Sequence, residues 1–183
     1  MAIKFATPTG PRRALAERLF ATIYGARQLR SGSYSPPDRL RVPLSRLFDY
    51  ATDVARDDDP EIAASLKSDP FLAQDLKRLL QQTAMRQLPR VAAASTALVP
   101  TREGAGCRIR LMPSKADPSQ VYVVIEILDS GAAPPALFVC DAEDRCQRFP
   151  LPPAKDGVVQ MLVAADSELV KALSDVKTEV FMR

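Results

Sequence analysis

Apolar residues recur at helical spacing through the first half of the chain and at alternate positions through the second, so two modules of different period are expected. Residues 1–10 run into the breaker cluster Pro8, Gly10 and Pro11 and predict a flexible arm. From Pro11 to about Leu29, Leu15, Leu19 and Ile23 with Ala16, Phe20 and Tyr24 form one apolar stripe, with Arg12, Arg13, Arg18 and Arg27 on its flanks. SGSYSPPD (31–38) is loop-forming by composition. Pro43 suits the first position of a helix running to about Arg56, striped by Leu44, Leu47, Phe48, Ala51 and Val54. Asp59-Pro60 and Asp69-Pro70 repeat one device, a carboxylate N-cap followed by proline at the first helical position. The first opens a short helix lined by Ile62, Ala63 and Leu66. The second opens a longer one, lined by Leu72, Leu76, Leu79, Leu80 and Thr83 and expected to reach about Leu88 before Pro89 stops it.

Beyond Gly106 the period shortens. Cys107, Ile109 and Leu111 alternate with Arg108, Arg110 and Met112. VYVVIEIL (121–128) is the strongest strand and is expected to be central. ALFVC (136–140) and CQRFPL (146–151) flank a polar turn and predict a hairpin. VVQMLVA (158–164) predicts a further strand, Asp166 a cap for a short helix from Ser167 to about Leu173, and TEVFM (178–182) the last strand. The expected fold is α+β: an arm (1–10), a helical module (11–90), a connection (91–103) and an antiparallel β-rich module (104–183), either a sandwich or a partly open barrel with one short helix.

Composition adds a location and a charge asymmetry. No apolar run approaches the roughly 18–20 residues needed to span a bilayer, the first residues lack the apolar core of a secretory signal, and three cysteines make no disulfide framework, so a cytoplasmic protein is expected. The net charge of +3 is uneven: residues 1–50 carry +6, residues 51–100 carry −1 and residues 101–183 carry −2.

Histidine is absent, which removes Ser-His-Asp and Cys-His nucleophile systems and most transition-metal sites. There is no phosphate-binding glycine loop, so no catalytic residue, cofactor or metal site is expected. Asp57, Asp58 and Asp59 lead straight into Pro60 rather than around a turning glycine, which fits helix capping better than a calcium loop. Cys140 and Cys146 bracket the hairpin turn and form a candidate redox pair, although two reduced strand thiols are the more ordinary expectation inside a cell. The arginines of the first helix offer contacts to phosphates, anionic lipid or an acidic protein surface, but no helix-turn-helix or RNA-binding sheet pattern accompanies them.

The segment RLFDYATDVARDDDPEIAASLKSDPFLAQDLKRLLQQ (46–82) resembles the helical sigma-binding region of bacterial anti-sigma factors. That pattern has an acidic break, a short helix closing on L-x-x-D-P and a longer helix beyond, and Leu66, Asp69, Pro70, Leu72, Leu76 and Leu79 fall at its positions. Zinc-binding members carry His and Cys ligands that the segment lacks, so the resemblance is to a zinc-less form. Many members continue into a membrane helix, and this chain has none. The resemblance implies a protein partner, with sigma-factor sequestration as its sharpest form. The candidate partner contacts are Arg12, Arg13, Leu15, Arg18 and Leu19 of the basic first helix, with Leu72 and Leu76 of the resembling segment. The expected function is therefore a non-enzymatic regulatory or adaptor protein. A nucleic-acid-binding accessory protein is the alternative, and an enzyme or small-ligand binder built on the β module the weaker one. Oligomeric state is not legible.

Overall fold

The computed structural model describes residues 18–23, 25, 42–52, 59–90 and 101–183. The expected arm, Arg12, Arg13, Leu15, the 31–38 loop, Asp57, Asp58 and most of the connection lie outside the described residues. The chain divides into two compact units, Met1–Leu44 and Ser45–Arg183. In the first, residues 18–23 are helical, with Leu19 and Ile23 buried and Arg18 exposed.

The second unit contains both helices and sheets. Helix α1 (Leu44–Thr52) is followed by α2 (Pro60–Ser68) and α3 (Pro70–Thr83). Both Asp-Pro devices work as capping chemistry predicts. The Asp59 carboxylate accepts from the N–H groups of Glu61 and Ile62, each at 3.2 Å. That of Asp69 accepts from Phe71 and Leu72 at 2.9 and 3.2 Å. Asp59 also anchors the preceding helix, because Arg46 of α1 donates to it at 2.8–3.0 Å and to Glu61 at 2.6 Å, tying α1 to the start of α2.

Eight strands follow: β1 (Arg86–Leu88), β2 (Thr101–Gly104), β3 (Cys107–Pro113), β4 (Gln120–Ile127), β5 (Ala136–Cys140), β6 (Cys146–Pro150), β7 (Val158–Ala164) and β8 (Glu179–Met182), with helix α4 (Glu168–Ser174) before the last. They make two four-stranded sheets in the orders β1-β8-β5-β6 and β2-β3-β4-β7, every pairing antiparallel. Neither sheet closes into a barrel. One core draws Leu88, Leu137, Val139, Val180 and Met182 from the first sheet and Ile109, Val121, Val123, Ile125 and Val159 from the second, with Leu169, Val170 and Leu173 of α4.

β4 is interior to its sheet, as its β-branched run predicts. β5 alone is buried at all five positions. Leu137 and Val139 point into the shared core, while Phe138 points the other way and meets the Tyr50 ring of α1 edge-on at 6.0 Å.

Three expectations need correction. The long helix ends at Thr83 rather than near Leu88, because Ala84 is extended and Arg86–Leu88 pairs with β8. Thr101–Gly104 is a strand, not connection. The short helix is capped by Ser167, not Asp166: the Ser167 hydroxyl accepts from the Val170 N–H at 3.4 Å. No helix among the described residues is long and apolar enough to cross a membrane.

Candidate functional site

Three polar clusters stand out in Ser45–Arg183. The first surrounds Arg86, which is buried although it occupies a strand. Its guanidinium forms a salt bridge to Asp129 and donates to the Ala132 carbonyl at 3.0 Å. Arg86, and then the Gly131 N–H at 3.0 Å, hold the Asp129 carboxyl below the usual carboxylate range. Two glycines flank the approach. A Cβ at Gly131 would sit 2.5 Å from an Arg86 nitrogen, and one at Gly106, where φ is +75°, would strike the Asp129 carboxylate. Beside this pair lies an open depression of about 630 Å³ lined by Met85, Gln87, Pro89, Glu103 and Gly104 among others. The arginine and aspartate are spent on one another, so the cluster pins the 128–132 loop to β1.

The second cluster is Arg102. It is buried and donates to the carbonyls of Leu173 (2.6 Å), Asp175 and Thr178 (2.9 Å) and to the Thr178 hydroxyl (2.7 Å). Burial lowers its pKa, partly offset by Asp175. The arginine supplies a positive charge and donors where the C-terminal carbonyls of α4 need both.

The third is the β5–β6 hairpin. Cys140 and Cys146 are directly opposed in the ladder, with Cα atoms 4.0 Å apart, and form a disulfide. The expectation of two independent reduced thiols gives way to a bridge. Asp141 next to it bonds backbone to backbone with Arg145 at 3.0 Å, which puts the cysteines at the adjoining non-hydrogen-bonded pair, where side chains approach most closely. Asp144 takes a left-handed conformation (φ 63°) in the turn. Lys77 of α3 bridges Asp144 at 2.5 Å and Glu179 of β8 at 3.0 Å. Burial alone would lower the Lys77 pKa, but the bonds to Asp144 and Glu179 outweigh it and raise it. The bridged hairpin is thus clamped to helix and sheet. Cys107 is a free buried thiol, its pKa pushed up by burial.

The structure brings together Cys140 and Cys146 but not the expected contact residues. Leu19, Leu72 and Leu76 are buried, so none is an exposed anchor. Arg18 is exposed, and the other candidate contacts lie outside the described residues. The large apolar side chain that α3 does expose is Phe71, at 59%. Its signal was its place off the stripe: at about 100° per residue Leu72, Leu76, Leu79, Leu80 and Thr83 share one face, and Phe71 falls well to one side of it. Among the described residues no group of three or more His, Cys, Asp or Glu is placed to hold a metal ion. Comparison with family models, with curated proteins and with solved structures finds no match.

Proposed function

We propose that this chain is a non-enzymatic regulatory or adaptor protein acting through protein–protein contacts, with sigma-factor sequestration as the sharpest form of that reading. The observation that carries it is Phe71. It is 59% exposed on the first turn of α3, immediately after the Asp69-Pro70 break and inside the segment that resembles a sigma-binding region. Leu72, Leu76 and Leu79 of the same helix are committed to the interior, leaving Phe71 as the exposed apolar anchor. Aromatic anchors carry a large share of interface energy, whereas rim charges mainly set encounter rate.

The test is binding of the purified chain to the sigma factors of its host. Phe71→Ser is expected to weaken capture by about tenfold or more while the cooperative melt is kept. Replacing Arg12, Arg13 and Arg18 with Ala is expected to leave equilibrium capture largely intact. Binding that ignores Phe71, or no binding to any sigma factor, removes the sharp form. The nucleic-acid reading is favoured by one observation, the +6 charge of residues 1–50. It prevails if duplex DNA binds tightly, with a steep salt dependence that the triple-arginine variant abolishes.

A further inference from the structure

We infer that β7 is a self-pairing edge through which two copies of this chain join their second sheets into one eight-stranded sheet. The inference is independent of the adaptor reading.

An edge strand exposes a row of backbone donors and acceptors, and proteins ordinarily blunt such edges with charge, proline or shortness. The other sheet edges do so among the described residues. β1 has three residues, one of them Arg86, and Pro89 follows it. β2 is short and carries Arg102 and Glu103. β6 contains Arg148 and Pro150. β7 reads VVQMLVA: seven residues with no charge and no proline.

The ladder shows which of its backbone groups are uncommitted. At one end of the β4–β7 pair the Ile127 N–H bonds to the Gly157 carbonyl at 2.8 Å, and at the other the Ala165 N–H bonds to Ser119 at 2.8 Å. Antiparallel partners exchange bonds at every second residue, so Val159, Met161 and Val163 face β4, while Val158, Gln160, Leu162 and Ala164 face outward. Val158 is already satisfied at both its N–H and its carbonyl by Lys155, and the Ala164 carbonyl accepts from Ser167 at 3.0 Å. That leaves the N–H and C=O of Gln160 and of Leu162, and the N–H of Ala164, with no backbone partner among the described residues.

About a two-fold axis at Leu162 this set pairs with itself, apart from the Gln160 N–H, which faces the Ala164 carbonyl that Ser167 already occupies. Leu162 of each copy then exchanges both of its bonds with Leu162 of the other, and the Ala164 N–H reaches the Gln160 carbonyl of the second copy. The same register sets Asp166 of one copy opposite Val158 of the other, beside the Lys155 that bridges Val158, with Asp156 in the same turn. Lys155 and Asp166 are both exposed. On the outer face, Met112, Tyr122 and Leu162 lie in one cross-strand row, with Met112 and Leu162 47% and 46% exposed. In one copy that apolar row stops at the edge. In the dimer it continues through Leu162, Tyr122 and Met112 of the second copy, and cross-strand pairs of this kind stabilise sheets.

The experiment uses the full chain in sedimentation equilibrium together with amide hydrogen exchange at low and high protein concentration. The expected result is a dimer, with the Leu162 and Ala164 amides protected only at high concentration. Leu162→Lys puts like charges on the axis and is expected to raise the dimer dissociation constant by at least about tenfold, with an unchanged melt of the monomer. Lys155→Glu is expected to weaken the dimer, and Asp166→Lys added to it to restore it. A monomer at high concentration overturns the proposal, as does a dimer indifferent to Leu162→Lys. Protection of Leu162 and Ala164 that does not vary with concentration also overturns it, because residues of the same chain would then cover the edge.

Discussion

Arg102 and Thr178 are 76 positions apart, yet one guanidinium donates to both the carbonyl and the hydroxyl of that threonine. The same arginine holds the last carbonyls of α4, so a side chain of β2 caps a helix in the second half of the unit. Thr178 in turn donates its hydroxyl toward the carbonyls of Ala172 and Asp175, at 2.7 and 2.8 Å, which closes the turn between α4 and β8.

Removing Arg102 strands several buried acceptors at once. Hydrogen bonds to a charged group are each worth roughly 1.5–3 kcal/mol, and they are not additive when they act together. Arg102→Met is expected to cost about 2–4 kcal/mol in a urea melt. Arg102→Lys is expected to recover little of this, because an ammonium cannot reproduce the planar fork that reaches three carbonyls. A near-neutral methionine variant would show that the carbonyls find water instead.

Asp129 makes acid stability testable. Its folded pKa is depressed by the Arg86 and Gly131 bonds, so its stabilising contribution is complete above the unfolded aspartate value of about 3.9 and is lost as pH falls through the lower folded value. Melting temperatures followed from pH 5 to pH 2 should therefore fall less steeply in Asp129→Asn than in the parent chain. Equal slopes would mean that this carboxylate has the same pKa folded and unfolded.

The Cys140–Cys146 bridge gives a thiol count. The denatured chain is expected to show one reactive thiol without reductant, Cys107, and three after reduction. The native chain is expected to show almost none, because Cys107 is buried and its thiol pKa is raised. The closed loop is short, a separation of six residues, so replacing both bridging cysteines with Ser is expected to cost only about 2 kcal/mol on the loop-entropy account. Three thiols before reduction would show that the bridge does not form in the isolated protein.

Asp69→Ala removes the carboxylate that accepts from Phe71 and Leu72. The expected loss is roughly 0.5–2 kcal/mol, the range for an N-cap, measured by denaturant melt. It should not depend on added calcium. Gln81→Ala, on an exposed residue of the same helix, serves as a surface control and is expected to change stability by less than about 0.5 kcal/mol.

Much of this molecule is dictated within a few residues of each position. Asp59-Pro60 and Asp69-Pro70 start helices because a carboxylate reaches N–H groups two and three residues ahead, an interaction that needs no distant partner. The alternation in 107–111 and the β-branched run of 121–127 mark strands for equally local reasons, since side-chain direction and shape suit a pleated surface. The hairpin that opposes Cys140 to Cys146 was equally legible. Long-range pairing decided the rest. Arg86–Leu88 is too short and too polar to announce a strand, and becomes one because β8 offers a ladder and Asp129 neutralises the buried arginine. Thr101–Gly104 is a strand because β3 lies beside it, and Arg102 is tolerated inside because the end of α4 supplies acceptors. Leu72 and Leu76 read as available contact residues along the helix. Only the packed structure could assign their face to the interior and leave Phe71 outside, since a helical period shows that a stripe exists but not whether the chain's own core or another molecule covers it.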